Sequence, residues 1–400
     1  MAQNRYLNIY LAVLLFFLVC YRALYQYTHI DGDGRIVTST AVLSLVYLGL
    51  YKKYIKETLL SFPVLIWAFL MTYQIVHSII VNTYDPKYNQ IIVTLQELGI
   101  MVITAHLFCA NKKMTFRSLL AALLVYLYVA NVFCSTEEES SGGRLTGFIY
   151  TTQLGQLSGF TCIVISLFIY YMKKPLIYIV LYLLPCIILL LTQSRNGLWP
   201  VLFSFLILLY PQLIKIKWTN LFVYGLGIYA GLTYFFSTSF FERLIASKDT
   251  YAATGIFYTG TVLDDIFADR AIYYFLGYFN FMENPIFGIG LFNFAAYNHF
   301  EYMLHSEILV HVVEGGLVGA ILYILFIGYF FKNLLSHYTF KDISGNCMIF
   351  AFLPLFIISF TARIYQYPFF FVVYGLLLGY ILQYKKLKFP TPIRSGFNQN

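Results

Sequence analysis

One segment of the sequence combines titratable side chains with the start of a long apolar run. Its titratable residues are His305, Glu307, His311 and Glu314, and the apolar run follows from Ala320 to Phe331. Histidine is the side chain best suited to moving a proton near neutral pH, so His305 is a candidate general base. Burying such groups at the edge of a membrane is costly unless they face a wet cavity lined by protein. The segment is therefore a candidate functional site, and a purely structural histidine is the alternative.

Glu307, His311 and Glu314 follow one another at a spacing that puts them on one face of a helix. The simpler interpretation is that they pair with one another inside a helix bundle, and a proton relay is the alternative. The spacing between His305 and His311 lacks the one-face register of paired zinc ligands, and no other metal-binding pattern is present in the sequence. We therefore expect neither a metal ion nor another cofactor.

Two arginines point to chemistry of a different kind, the binding of phosphate. Arg195 lies in a short polar segment between two apolar runs, Thr192-Gln193-Ser194-Arg195-Asn196-Gly197, and Arg270 follows Asp269. Arginine binds phosphate oxygens through two parallel hydrogen bonds and keeps its charge when it is buried. Arg195 is therefore a candidate phosphate ligand, with a polar turn whose arginine reaches the lipid headgroups as the alternative. Arg270 alone is weaker support, because a surface ion pair with Asp269 would explain it equally well.

The elements that must position these residues are membrane-spanning helices. Hydrophobic residues make up 60% of the 400 residues, charged residues make up 11%, and the mean hydropathy is +0.72. A soluble domain would carry about a quarter charged residues. The composition predicts an all-α polytopic membrane protein with a single integral membrane domain over residues 1–400. About twelve transmembrane helices are expected, near residues 6–27, 36–51, 59–81, 90–110, 115–134, 146–172, 175–194, 196–213, 218–240, 306–331, 346–361 and 367–384.

Lysine indicates the orientation of these spans. Most lysines fall on one side of the predicted arrangement, and only Lys87 and Lys248 fall on the other. By the positive-inside rule, both termini are then cytoplasmic. Because the basic residues are divided between two faces of a membrane, the net charge of +8 does not indicate a nucleic-acid partner.

Arginine shows the opposite distribution. The arginines that map to the outer side are Arg22, Arg35, Arg144, Arg195, Arg243, Arg270 and Arg363. The positive-inside rule does not explain this excess, whereas the binding of a phosphate-bearing substrate would. The alternative is that individual arginines cap loops or pair with lipid headgroups.

The outer side also carries the one large loop of the prediction, residues 241–304, between the ninth and tenth spans. Within it, an amphipathic stretch runs through Arg270, Tyr274 and Tyr278. Asn284-Pro285 should end this helix, because the residue before a proline avoids helical geometry. We expect the helix to lie along the outer membrane interface and to cover a cavity.

These segments together resemble a known family. His305-Ser306, followed after nine residues by Gly316-Leu317-Val318-Gly319, resembles the histidine motif of the superfamily of O-antigen ligases and Wzy-type O-antigen polymerases. The Thr192–Arg195 segment resembles that family's periplasmic arginine motif. Asp269-Arg270, with the helix leading to Asn284-Pro285-Ile286-Phe287-Gly288, resembles its second arginine segment, and Thr361-Ala362-Arg363 resembles a further arginine near the penultimate span. The resemblance is specific over about residues 190–365, and the N-terminal half is similar only in its pattern of spans.

The resemblance implies an inverting glycosyltransferase of the GT-C type that takes a glycan from undecaprenyl diphosphate without a metal ion or nucleotide sugar. It would act at the periplasmic face of the bacterial inner membrane. Arg195 and Arg270 would bind the diphosphate leaving group, and His305 would activate or orient the acceptor hydroxyl. Supporting roles would fall to Ser194, Ser306, Glu307, His311, Glu314 and Arg363.

Several functions share these features. The leading interpretation is an O-antigen or capsular polysaccharide polymerase, whose acceptor is a second lipid-linked glycan, with a chain-length regulator and a flippase as further candidate partners. An O-antigen ligase, which transfers the glycan to lipid A-core, is the close alternative. A twelve-span transporter or lipid flippase is a third interpretation, which Glu97, His311 and Glu314 support. The outward arginines, the single large outer loop and the lack of a visible repeat oppose it.

Overall fold

A computed structural model of the chain shows a set of packed apolar helices. It describes residues 2–28, 42–46, 49–50, 52–81, 83, 90–132, 135–136, 145–146, 151–172, 176–192, 194–213, 271–297, 304, 306–336, 342–363 and 367–388. The helices before residue 214 are α1 (Ala2–Thr28), α2 (Lys52–Leu59), α3 (Phe62–Ile80), α4 (Gln90–Ala110), α5 (Lys112–Val132), α6 (Thr151–Met172), α7 (Leu176–Thr192) and α8 (Arg195–Leu213). Those after residue 270 are α9 (Ala271–Glu283), α10 (Phe294–Tyr297), α11 (Glu307–Leu309), α12 (Gly316–Leu335), α13 (Ile343–Ser359) and α14 (Pro368–Lys388), with a π-helix at Val310–Glu314. Two short antiparallel strands, β1 (Ser135–Thr136) and β2 (Leu145–Thr146), pair with each other.

The length and composition of the helices make this a helical membrane protein. Among the described residues, five stretches are long and apolar enough to cross a membrane: Phe62–Ile80, Gln90–Ala110, Lys112–Ala130, Thr152–Met172 and Gly316–Leu335. Shorter apolar helical stretches cover Arg5–Tyr21, Val180–Thr192, Asn196–Pro211, Ile343–Ser359 and Phe369–Lys385. The total of about twelve spans and the outer loop at 241–304 stay predictions. The predicted span 218–240 lies outside the described residues, and of the span 36–51 only the helical residues 42–46 and 49–50 are described.

Aromatic side chains fill the centre of the bundle. Trp67 of α3 packs against Phe326 of α12 and Phe371 of α14, with ring centroids 4.9 and 5.1 Å apart. Phe330 of α12 extends this contact to Phe352 of α13 and to Tyr374. Because lipid is as apolar as these rings, the helices are held together by close packing more than by exclusion from solvent.

Small residues bring α6 and α8 into backbone contact. Gly155 and Gly159 lie one turn apart on α6, and a Cβ atom added at Gly159 would clash with the carbonyl oxygen of Gly197 on α8. A Cβ added at Gly197 would in turn clash with the carbonyl oxygen of Gly155. This close crossing fixes the first turn of α8, which carries Arg195, against α6.

Most predicted helix ends agree with the structure. The tight connection between the seventh and eighth predicted spans is confirmed, since α7 ends at Thr192 and α8 begins at Arg195. Helix α9 ends at Glu283, directly before Asn284-Pro285, as the proline predicts.

Two predicted spans differ from the structure. The span predicted at 146–172 begins later, at Thr151, because residues 145–146 pair with β1 instead of joining the helix. The span predicted at 306–331 is interrupted, since α11 passes into a π-helix and Gly316 starts α12 with a φ of 62°.

Candidate functional site

Residues 360–363, called here the 360–363 turn, follow α13 and contact three other segments that stand out in the sequence. The Thr361 hydroxyl donates a hydrogen bond to Oδ1 of Asn196 at 2.9 Å, at the start of α8. The Glu307 amide donates to the Ala362 carbonyl at 3.0 Å, which fixes the start of the histidine segment. The Tyr274 hydroxyl of α9 donates to the Phe360 carbonyl at 2.5 Å. Three segments that are far apart in the sequence therefore converge on this turn.

Ser306 connects the turn to the start of α11. Its hydroxyl accepts a hydrogen bond from the Leu309 amide at 3.3 Å and so caps the helix, and it donates to the Ser359 carbonyl at 3.1 Å. The Tyr274 hydroxyl lies 3.4 Å from the Ser306 hydroxyl oxygen. Ser306 is buried, and it holds the backbone next to His305 in the sequence. Ser306 thus positions the backbone at the start of α11, and its supporting role in a transfer reaction stays a prediction.

Arg363 is a buried cation that does not use all of its hydrogen-bond donors. Its Nε donates to the carbonyl of Leu304, the residue before His305, and its guanidinium lies 5.3 Å above the centre of the Phe292 ring. Its Nη2 is 3.7 Å from Oε1 of Glu314, an ion-pair distance that is too long for a hydrogen bond. Neither Nη1 nor Nη2 donates a hydrogen bond to a described residue, although the side chain is only 5% exposed. A buried guanidinium with free donors is suited to stabilising negative charge nearby.

Glu307 and His311 pair with each other, as the simpler interpretation of their spacing predicts. Nε2 of His311 lies 2.9 Å from Oε1 of Glu307, and both side chains are buried. The imidazole stacks on the Tyr323 ring at 4.6 Å and meets the Trp67 ring edge-on at 5.7 Å. The packing around this pair gives it a structural role within the bundle. Glu314, the last residue of the π-helix that interrupts the α-helical register, instead pairs with Arg363.

Two glycine motifs that were identified separately in the sequence interlock in the structure. The amides of Ile289 and Gly290 donate to the carbonyls of Val313 and Glu314, both at 3.1 Å. In return, the Leu317 amide donates to the Pro285 carbonyl at 2.8 Å, and the Val318 amide donates to that of Ile286 at 3.2 Å. The π-helix leaves these groups without their usual partners in an α-helix, and the 284–290 segment supplies new ones.

The positions of Gly288 and Gly316 admit no other residue without strain. Their φ angles are 77° and 62°, in the region that favours glycine. A Cβ at Gly288 would lie 2.5 Å from the Gly316 nitrogen, and one at Gly316 would clash with the Gly288 nitrogen. The Tyr73 hydroxyl of α3 lies 2.9 and 3.0 Å from the carbonyl oxygens of Phe287 and Gly315, which share its one proton, and so it joins the two motifs.

The described polar residues around the start of α8 are packed inside the bundle. Ser194 donates to the Thr152 carbonyl of α6 at 3.3 Å, and both Ser194 and Asn196 are buried. Nδ2 of Asn196 has no hydrogen-bond partner among the described residues. Arg195 is the first residue of α8, and its side chain lies outside the described residues, as do all of Arg270 and His305. The structure thus places the predicted supporting residues, while the three central roles stay predictions.

Sequence reasoning missed several residues that organise this region. Thr361 and Asn196 belong to motifs that were identified, but nothing in the sequence pairs them. The sequence places Tyr274 in the amphipathic stretch that includes Arg270, but it gives no sign of the hydrogen bond from Tyr274 to the Phe360 carbonyl. Trp67 donates from Nε1 to Oε2 of the buried Glu97 at 3.0 Å, and only the fold brings this pair next to His311.

Within the described part of the chain, no three His, Cys, Asp or Glu side chains are grouped so that they could hold a metal ion. The sequence matches no protein-family model and has no significant match among curated proteins. The geometry of the site therefore has to support any functional conclusion.

Proposed function

We propose that the chain is a membrane glycosyltransferase of the O-antigen polymerase type. In this proposal it transfers a glycan from undecaprenyl diphosphate to a second lipid-linked glycan at the periplasmic face of the bacterial inner membrane. Both termini are cytoplasmic, and residues 241–304 form the outer loop. The observation that carries the proposal is the convergence of the three other motif segments on the 360–363 turn.

The proposed reaction is a single displacement at the anomeric carbon of the donor glycan. The acceptor oxygen forms a bond to this carbon, the bond from the carbon to the diphosphate oxygen breaks, and the configuration inverts. His305 accepts the proton of the acceptor hydroxyl, and Arg195 and Arg270 stabilise the negative charge that develops on the diphosphate.

The described residues supply the framework that this reaction requires. Arg363 bonds to the carbonyl of Leu304, and Ser306 bonds to that of Ser359, so both sequence neighbours of His305 are held by the same region. Asn196, the neighbour of Arg195, is held by Thr361. Fixed neighbours of this kind lower the cost of orienting catalytic side chains during the reaction. The free donors of Arg363 and Asn196 add a polar environment that suits an anionic donor.

The buried charges favour an enzyme over a transporter. Two of the three groups that support a transporter in the sequence have hydrogen-bond partners, since Glu97 accepts from Trp67 and His311 bonds to Glu307. The third, Glu314, lies at an ion-pair distance of 3.7 Å from Arg363. Groups that carry a substrate or an ion through a membrane need open coordination near the middle of the bilayer.

Purified protein in sealed lipid vesicles tests the proposal. The protein is supplied with an undecaprenyl-diphosphate-linked glycan, either alone or together with lipid A-core, and the products are separated by size. A ladder of lengthened glycans is the expected result, and glycan on lipid A-core would identify an O-antigen ligase instead. Movement of the lipid across the bilayer without any transfer would contradict both and support a flippase.

A further inference from the structure

A groove of about 710 Å³ lies between α1 and α5, away from the 360–363 turn. Its apolar walls come mainly from α1, with Ile9, Val13, Phe16 and Phe17, and Met114 contributes from α5. Ile9, Val13 and Phe17 are each at least 40% exposed, so the groove opens to the outside of the bundle. Such an opening in a membrane helix pair faces lipid.

The two helices of the groove run in the same direction. Gln96 of α4 donates to the Leu18 carbonyl of α1 at 3.1 Å, and Ser118 of α5 donates to the Ala12 carbonyl at 2.5 Å. Asn111 alone separates α4 from α5, so the chain reverses there. These contacts fit only if α4 runs antiparallel to α1 and α5 runs parallel to it.

The parallel arrangement gives the groove a charged end and an apolar end. Since Ser118 is level with Ala12, Arg117 and Lys113 lie beside the first half of α1, while Phe16 and Phe17 lie further along it. Lys113 and Arg117 are one helical turn apart on α5 and line the groove together. Among the described residues that line the groove there is no acidic side chain.

We propose that this groove binds an anionic phospholipid. Its phosphate lies against Lys113 and Arg117, and an acyl chain follows Val13, Phe16 and Phe17. A phospholipid in a bilayer has this same orientation, with the charged group at the surface and the chains along the membrane normal. Basic grooves between helices at the cytoplasmic surface attract anionic lipids, which matches the lysine-rich end of α5. The inference does not depend on the proposed transfer reaction.

The test is a lipid titration followed by native mass spectrometry. Delipidated protein in detergent receives phosphatidylglycerol or phosphatidylcholine with identical acyl chains, and the bound lipids are counted. We expect phosphatidylglycerol to bind more tightly. A Lys113→Gln/Arg117→Gln variant should lose about 25-fold in its affinity, at about fivefold for each charge removed.

Two further variants separate the groove from general charge and from folding. Lys56 and Lys332 are exposed cations on α2 and α12, and a Lys56→Gln/Lys332→Gln variant removes the same charge elsewhere. This control should bind phosphatidylglycerol as the wild type does. Val13→Trp fills the groove without changing the charge, and it should also reduce binding.

Three outcomes would overturn the proposal. One is equal binding of the two lipids, and another is an equal loss in the groove and control variants. The third is tighter binding of undecaprenyl phosphate than of phosphatidylglycerol, which would assign the groove to a polyprenyl lipid. Loss of lipid in the groove variants alone, at unchanged melting temperature, is the supporting result.

Discussion

The 360–363 turn and the groove between α1 and α5 both present cations, but they hold them in opposite ways. Arg363 is buried, is bonded to a backbone carbonyl and lies near a buried carboxylate. Lys113 and Arg117 are exposed, and both line the groove. A buried cation depends on particular partners in one geometry, whereas exposed cations act mainly through their charge. The comparison predicts large, specific effects at the turn and small, additive effects at the groove.

The largest effect is expected from breaking the pair between Arg363 and Glu314. Arg363→Met leaves a buried carboxylate without its counter-charge, which should cost about 3–5 kcal/mol of stability. Differential scanning fluorimetry in detergent should therefore show a strongly lowered melting temperature. A double variant, Arg363→Met/Glu314→Gln, should recover much of the loss because the remaining charge is removed. Equal losses in the single and double variants would show that the charge pair is not what matters.

The next largest effect is expected at the interlocked glycines. Gly316→Ala places an alanine at a positive φ, which should lower the free energy of unfolding by about 1–2 kcal/mol. The added Cβ atom also clashes with the backbone of Gly288. Gly328, in the middle of the same helix, is the matched control, since a Cβ there would meet nothing within 4 Å. Gly328→Ala should be neutral or stabilising, because alanine favours a helix more than glycine does. A similar melting temperature for both variants would contradict the interlock.

A smaller effect is expected for the hydrogen bond that ties α8 to the turn. A double-mutant cycle with Thr361→Val and Asn196→Ala should give a coupling energy of about 0.6 kcal/mol, the average for hydrogen bonds inside membrane proteins. The measurement is the unfolding free energy of the two single variants and the double variant. Strictly additive effects of the two substitutions would mean that this bond contributes nothing.

The smallest effect is expected at the groove. Without added anionic lipid, Lys113→Gln/Arg117→Gln should change the stability by no more than about 0.5 kcal/mol, as is usual for surface substitutions. The same unfolding assay gives this value. A loss as large as that of Arg363→Met would show that these cations are part of the folded framework, and the contrast between the two regions would fail.

Much of what is local in this fold could be predicted from the sequence. The end of α9 at Asn284-Pro285 follows from proline geometry, and the pair of Glu307 and His311 follows from helical spacing. The tight connection before Arg195 follows from the short polar break between two apolar runs. Each of these depends on residues that are close together along the chain.

The features that could not be predicted depend on contacts between distant segments. The π-helix before Gly316 leaves backbone amides and carbonyls without partners, and the 284–290 segment stabilises it by hydrogen bonding to them. Sequence spacing gives no sign of these hydrogen bonds. The late start of α6 at Thr151 depends in the same way on β1. The sequence predicts Arg363 on the outer side, but it does not predict the pairing of Arg363 with Glu314 and Leu304, which depends on how α13 packs.

The most direct test of the central claim is the rate of glycan transfer in His305→Ala and Arg195→Ala variants, compared with Lys332→Gln as a control. The rate is measured as release of undecaprenyl diphosphate by protein that keeps its wild-type melting temperature. If the 360–363 turn positions His305 and Arg195 in one site for glycan transfer, His305→Ala should lower the rate about 10²–10⁴-fold and Arg195→Ala about 10²–10³-fold. The control should transfer at the wild-type rate. Wild-type rates in the His305→Ala and Arg195→Ala variants would contradict the account.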